Sequence, residues 1–192
     1  MALKRYTIDG YGQIELNQVA FRRDGRIEAQ CKLDTTTDFG AGKTLEYAEN
    51  GMLLAVDNIS RTIKLATDDT YPIALNYTTE HMYDERANAL RDFKLAPGTF
   101  LPRLGYLAIG DKFTTNCICY DKDDSTYGFT NDAALDTALD SIGSTAIYGG
   151  ISNIGAIKLS KQQPAAGPVL RVIKKTTMPD GTLGLKFQVY KA

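Results

Sequence analysis

A glycine-rich stretch near residue 40 has the residue types of a phosphate-binding loop. Residues 40–44 read Gly-Ala-Gly-Lys-Thr, which is how a Walker A loop ends. That loop also needs a glycine five positions before Gly42, where this chain has Thr37. It needs a buried hydrophobic strand leading into it as well, and residues 34–38 are polar. We therefore interpret residues 34–50 as a polar, flexible, glycine-rich connector.

Four oxygen-bearing side chains in the acidic stretch that follows residue 120 have the outline of a calcium-binding loop. Asp121, Asp123 and Ser125 alternate, and Asp132 follows eleven residues after the first. The sixth position, which should be glycine for a sharp turn, is Thr126, and the twelfth is aspartate where a bidentate glutamate is usual. A solvated acidic loop explains these residues as well. The sequence leaves a weak cation site near Asp121–Asp132 open.

The residues needed for a serine-nucleophile elbow or a zinc site are missing from the sequence. The one histidine, His81, lies in a polar stretch, and none of the serines stands in a Gly-x-Ser-x-Gly elbow. Cys117 and Cys119 with one histidine do not supply the three or four ligands that zinc requires. The expectation is a protein that is not an enzyme and has no cofactor, metal or catalytic residues. A carboxylate pair assembled by the fold from the 23 acidic residues stays open.

The cysteines and the amino-terminal residues allow a prediction of the cellular compartment in which the chain is made. Lys4 and Arg5 are not followed by an apolar core, which predicts no signal peptide. No window approaches ~18 consecutive apolar residues, which predicts no transmembrane helix. With an odd count of cysteines, we expect reduced thiols in a chain made in the cytoplasm. Cys117 and Cys119, two apart in a predicted strand, should act as small buried apolar residues.

Composition narrows the class of partner. Apolar residues make up 43% of the chain, charged residues 23%, and the formal net charge is −1, so the chain is globular without a basic field. Neither a nucleic-acid partner nor a membrane partner is expected. Eleven tyrosines without a tryptophan are explained equally well by protein interfaces and by strand propensity.

Hairpins are the strongest local signals. Residues 169–175 and 183–190 predict a long terminal hairpin, because apolar residues alternate strictly with others through the second strand. Residues 14–21 and 26–33 predict a first hairpin. A two-residue Asp24-Gly25 turn would set Phe21 against Glu28, whereas a three-residue loop opposes it to Ile27 and is preferred.

The remaining elements are predicted as follows. Residues 51–56 and 62–66 form a second hairpin, with a third strand at 72–77, and residues 103–109 pair with 113–120 through a Gly-Asp turn. Short strands are expected at 146–148 and 156–159. A helix is predicted over 131–141 and a short helix or ordered excursion over 80–94. Residues 1–45 are expected to form a hairpin arm and linker, and residues 46–192 the β-rich core domain.

Two segments resemble head decoration proteins of tailed bacteriophages. Residues 51–57 (Gly-Met-Leu-Leu-Ala-Val-Asp), 63–66 (Ile-Lys-Leu-Ala) and 72–75 (Pro-Ile-Ala-Leu) are similar to their glycine-led strand, hairpin and following strand. Residues 102–117, together with 185–192, resemble structural proteins encoded near the major capsid gene in phages of Gram-positive hosts. The resemblance covers about half of the chain. It implies binding between capsomers, often as a symmetric oligomer, and carries no catalytic residues.

The sequence thus predicts a mainly β protein, an antiparallel β-sandwich or barrel-like domain with one or two short helices and an N-terminal β-hairpin arm. The expected function is that of a structural virion protein that binds the outer capsid surface and stabilises it. The expected partners are the major capsid protein and further copies of itself. The alternative is a tail, baseplate or head-fibre component of the same kind of particle. Outside these, a small-molecule-binding module or an enzyme is the competing class.

Overall fold

The computed structural model describes residues 2–15, 26–78 and 90–192. Across these ranges the chain is mainly β, with thirteen strands in two open sheets and one α-helix. The prediction of a mainly β, sandwich-like fold is confirmed. Neither sheet closes on itself, so the barrel-like form does not occur in the described part of the chain. Both sheets are mixed, since each contains one parallel pair of strands.

One sheet has seven strands in the order β1-β9-β11-β10-β12-β13-β8. Their bounds are Leu3–Arg5 (β1), Ile118–Asp121 (β9), Ile157–Ser160 (β11), Tyr148–Gly150 (β10), Val169–Thr177 (β12), Leu183–Lys191 (β13) and Lys112–Thr115 (β8). The parallel pair is β11 with β9, and every other pair in this sheet is antiparallel. The predicted short strands near 146–148 and 156–159 are thus found as β10 and β11.

The other sheet has six strands in the order β2-β7-β6-β4-β5-β3. Their bounds are Ile27–Glu28 (β2), Leu104–Tyr106 (β7), Ile73–Asn76 (β6), Leu53–Asp57 (β4), Thr62–Leu65 (β5) and Lys32–Leu33 (β3). The predicted hairpin of residues 51–66 is confirmed as β4 and β5, and β6 is the predicted third strand.

The terminal hairpin is confirmed, because β12 and β13 pair along almost their whole length. Leu185, Phe187 and Val189 are all buried, as their alternation predicts. The ring of Phe187 stacks on that of Phe113 in β8 at 5.6 Å between centroids. This apolar row therefore fixes which face of the hairpin is turned towards the core.

The predicted helix is α1, Asp132–Leu139. Asn131 is its N-cap, and the side-chain oxygen of Asn131 accepts a hydrogen bond from the backbone N–H of Ala134 at 2.8 Å. Leu135 and Leu139 are buried and join the core. The helix ends at Leu139, two residues before the end of the predicted range 131–141.

The predicted pairing of residues 103–109 with 113–120 is wrong. β7 belongs to the six-stranded sheet and β8 to the seven-stranded sheet, and the intervening turn crosses from one to the other. The second stretch also divides, since β8 ends at Thr115 and β9 begins at Ile118. A Gly-Asp turn between apolar strands suits a sheet crossover as well as a hairpin. The contact of Phe113 with Phe187 decides between them by placing β8 against β13.

The first 45 residues supply strands to both sheets. β1 pairs with β9, Ile14 bridges Thr115, and β2 pairs with β7. Residues 16–25, which hold the turn and register of the predicted first hairpin, lie outside the described ranges. Most of the helix predicted over 80–94 does too, and Leu90–Asp92 forms a short 3-10 turn. The division at residue 45 stays a prediction.

Two clusters of buried side chains form the core. The larger joins both sheets and α1, and it includes Leu53 and Leu75 from the six-stranded sheet with Ile118 from the other. The second cluster packs the other face of β4, at Leu54 and Val56, against loop residues and strand β9. Consequently β4 is buried on both faces and lies at the centre of the molecule.

Candidate functional site

The stretch that resembles a Walker A loop folds into a compact turn between β3 and β4. Phe39 is fully buried and pairs with Leu45 in an isolated bridge. The ammonium group of Lys43 donates a hydrogen bond to the backbone oxygen of Thr36 at 2.7 Å. The next element along the chain is the strand β4, whereas a phosphate-binding loop leads into a helix.

The aspartates of the candidate calcium loop do not converge on a common point. Asp121 accepts the backbone N–H of Asp123, whereas the carboxylate of Asp132 accepts hydrogen bonds from Tyr120, Lys4 and Thr7. Partial burial alone would raise the pKa of Asp132, but these three donors hold it below its usual range. Within the described ranges, no group of three histidine, cysteine, aspartate or glutamate side chains is arranged to hold a metal ion.

The three cysteines are free and buried. Burial raises the pKa of the Cys117 thiol to about 12 and those of Cys31 and Cys119 to about 11. These groups therefore stay protonated at neutral pH and pack as small apolar side chains. The candidate residue His81 lies outside the described residues.

A largely buried ion pair lies under strand β1. The guanidinium of Arg5 makes two hydrogen bonds to the carboxylate of Glu49, at 3.2 and 3.0 Å. The same carboxylate accepts the backbone N–H of Gly12. One glutamate thus joins the first strand, the following segment and the approach to β4, which gives this group a structural role.

Ile59 is the most exposed large apolar side chain in the described structure, at 97% of its surface. It lies at the tip of the β4–β5 hairpin. The carboxylate of Asp57 accepts the backbone N–H groups of Ile59 and Ser60 at 3.0 and 3.1 Å and pairs with the Lys64 ammonium at 2.9 Å. Hydrogen bonds from Ser60 and Lys64 hold the pKa of Asp57 well below its usual range, so the carboxylate braces the turn at neutral pH.

Ile109 is displayed in a similar way, at 73% exposure, on the turn that leaves β7. The carboxylate of Asp111 accepts the backbone N–H of Ala108 at 2.7 Å, and it pairs with Arg26 at the same distance. The backbone N–H of Gly110 also donates to Val189 in β13. The turn is thus fixed to both sheets, while its exposed isoleucine belongs to neither core cluster.

The two isoleucines lie at the same end of the six-stranded sheet. Both β4 and β7 run antiparallel to β6, which separates them, and so both end on the same side. Strands β4 and β7 are therefore two strand spacings apart, which is about 10 Å. We call residues 57–62 and 107–111 together the turn end. Phe100 and Leu101, which are also exposed, precede β7 and therefore lie towards the opposite end.

Sequence reasoning missed the turn end. Its signal was an isoleucine inside a turn rather than inside a strand, in Asp-Asn-Ile-Ser and Ala-Ile-Gly-Asp. Such turns normally hold polar residues or glycine, since loops run over the surface. An isoleucine between turn-forming residues is therefore a signal of exposed apolar surface that period-two patterns do not detect.

The comparisons with known proteins add no relative. No protein-family model, no curated protein and no solved structure matches the chain. Among the described residues, the one α-helix is too short to cross a membrane.

Proposed function

We propose that this chain is a structural virion protein that binds the outer surface of a capsid and stabilises it, with the turn end as its contact. The observation that carries the proposal is the exposure of Ile59 and Ile109 on turns braced by aspartate. The resemblance of residues 51–75 and 102–117 to head decoration proteins supplies the partner, the major capsid protein.

Rigid display of apolar side chains is suited to docking. Burying an isoleucine that water otherwise surrounds contributes roughly 1.5–3 kcal/mol. A turn that already has its bound conformation avoids the entropy loss of ordering a loop on binding. Two such side chains give a modest contact for one copy. A repetitive surface such as a capsid, and contacts between neighbouring copies, would raise the total through multivalency.

The first test asks where the chain is found. Intact particles are purified, separated into heads and tails, and probed for this chain and its copy number per capsid subunit. The proposal expects it on heads, in a fixed ratio to the major capsid protein. Recovery with tails or baseplates would support the alternative structural role instead, and its absence from particles would overturn both.

The second test asks which surface is used. Particles that lack the chain are mixed with purified protein, and bound protein is measured after sedimentation. Ile59→Asp and Ile109→Asp should each weaken binding roughly 10- to 100-fold, because a charge replaces the buried apolar group. Phe100→Asp at the opposite end is the matched control and should bind as the unaltered chain does. Equal binding by all four proteins would exclude the turn end.

A further inference from the structure

A cleft of about 470 Å³ lies beside β11, away from the turns that carry Ile59 and Ile109. Its lining comes from four separate parts of the sequence: Leu3, residues 66–67, residues 124–127, and residues 151–166. Its volume falls in the range of ligand sites in proteins, roughly 300–1,000 Å³.

The wall of the cleft depends on a glycine in β10. A Cβ atom placed on Gly150 would lie 2.7 Å from the Cβ of Pro164, so the glycine lets Pro164 pack directly against the strand. The loop that carries Pro164 is held at both ends. The backbone N–H of Gln162 donates to Ser160 at 3.0 Å, and that of Gly167, at a φ of 75°, donates to Asp69.

Tyr127 is the aromatic residue of the lining, and 44% of it is exposed. Its backbone is fixed on both sides. Its N–H donates to the carboxylate of Asp124 at 2.9 Å, and its carbonyl accepts the N–H of Lys161 at 2.8 Å and the hydroxyl of Ser160 at 3.3 Å. An exposed tyrosine on a fixed backbone offers a ring face together with a polar hydroxyl.

The polar lining is rich in amides and electrically balanced. Asn153, Gln162 and Gln163 are exposed around the cleft, and each amide both donates and accepts hydrogen bonds. Asp124 and Lys158 contribute one charge of each sign. A strongly charged ligand finds no excess of opposite charge here. The lining instead suits a neutral molecule with several hydroxyl groups.

We propose that this cleft binds a saccharide. A sugar ring carries an apolar C–H face for the tyrosine ring and hydroxyl groups that match the amides. Leu3, Ile151 and Pro164 give the remaining wall its apolar character. The proposal does not rest on the virion role, since the cleft and the turn end share no residue.

The test is a titration of isotopically labelled full-length protein with methyl glycosides of glucose, galactose, mannose, rhamnose and N-acetylglucosamine, followed by backbone amide shifts. At least one glycoside should give saturable shifts confined to residues 124–128, 151–154 and 158–167. Tyr127→Ala should weaken that binding by about tenfold or more. Tyr127→Phe should stay within about threefold of the unaltered chain, because the ring is kept.

Two further variants separate loss of the site from loss of the fold. Gln163→Ala removes an exposed amide and should weaken binding severalfold without changing thermal stability. Tyr190→Ala, an equally exposed tyrosine on β13, should leave binding unchanged. Absence of localised saturable shifts with every glycoside would overturn the proposal, as would undiminished binding by both Tyr127→Ala and Gln163→Ala.

Discussion

Two regions of the molecule reverse the usual distribution of polar and apolar side chains. Under strand β1, the charges of Arg5 and Glu49 are largely removed from water and lie beside the thiol of Cys117. At the turn end, Ile59 and Ile109 stand in water on charged, hydrogen-bonded turns. The first region hides charge and the second exposes apolar surface.

The two regions differ in whether the unusually placed side chains have partners inside the chain. The carboxylate of Glu49 meets both the guanidinium of Arg5 and the N–H of Gly12, so the buried charges have partners inside the chain. The isoleucines of the turn end belong to neither core cluster, although the carboxylates of Asp57 and Asp111 brace their turns. Compensation inside the chain indicates a structural role. The exposed isoleucines have no such compensation inside the described chain, and they form the contact surface that we propose.

The largest expected effect comes from removing one partner of the buried pair. Glu49→Ala leaves the guanidinium of Arg5 without its carboxylate and the N–H of Gly12 without an acceptor. We expect the free energy of unfolding to fall by about 2–4 kcal/mol, because an uncompensated charge in a largely buried site is strongly destabilising. Urea denaturation followed by circular dichroism measures the change.

The matched control for that variant is the exposed pair of Arg91 and Asp9, whose atoms are 3.0 Å apart. Arg91→Ala should lower the free energy of unfolding by less than about 1 kcal/mol. If the two variants lose equal stability, burial does not distinguish the two pairs, and the first half of the comparison fails.

The thiols test whether the region under β1 is closed to solvent. At pH 8, a thiol whose pKa is raised to about 11 is ionised in roughly one molecule in a thousand, and Cys117 and Cys119 are fully buried as well. Ellman's reagent should therefore react with the native protein about a hundredfold or more slowly than with the urea-unfolded chain, which should release three equivalents. Rapid release of one equivalent by the native protein that persists in a Cys31→Ser variant would show an opening at this site, because Cys31 lies beside Asn58 instead.

Acid should loosen the turn end. Because the folded-state pKa of Asp57 is depressed, its contribution is fully present above the ordinary aspartate pKa, about 3.9, and is lost as the pH falls through the folded value. Hydrogen exchange at the amides of Ile59 and Ser60, corrected for intrinsic rates, should be steady between pH 7 and 5 and should accelerate below pH 4. Asp57→Asn should exchange faster at pH 7 and respond less to acid. The same acid response in both proteins would show that another group braces the turn.

The elements that could be predicted from the sequence are those whose signal is local. The alternation through Leu185 and Phe187 specifies β13, and Asn131 before an alanine-rich run specifies α1. Strand β1 gave no such signal. It is held by Arg5 contacting a glutamate 44 residues away and by Lys4 contacting Asp132, 128 residues away. Contacts of that range depend on the fold and cannot be obtained from spacing along the chain.

The candidate sites also divide into those with a local sequence signal and those that only the fold assembles. Motif reasoning draws attention to contiguous residues, such as 40–44 and 121–132, and the fold commits their side chains to the chain itself. The saccharide cleft is assembled from four distant segments, and Gly150 matters through its contact with Pro164. Of these sites, only the turn end had a local signal in the sequence, an isoleucine between turn-forming residues. Detecting that signal requires a rule about residue types in loops, because patterns of alternation in strands do not report it.

The smallest expected effect is on the stability of variants at the turn end, and it tests whether the exposed isoleucines have a role in folding. Ile59→Ser and Ile109→Ser remove apolar groups that are mostly in water before and after folding, so each should change the free energy of unfolding by no more than about 0.5 kcal/mol. Thermal denaturation monitored by circular dichroism checks this, with Ile63→Ser in β5 as the buried control, for which a loss of several kcal/mol is expected. Unchanged stability in both variants would support the contact that we propose for the turn end. A loss above about 1 kcal/mol for Ile59→Ser or Ile109→Ser would instead give that side chain a role within its own chain.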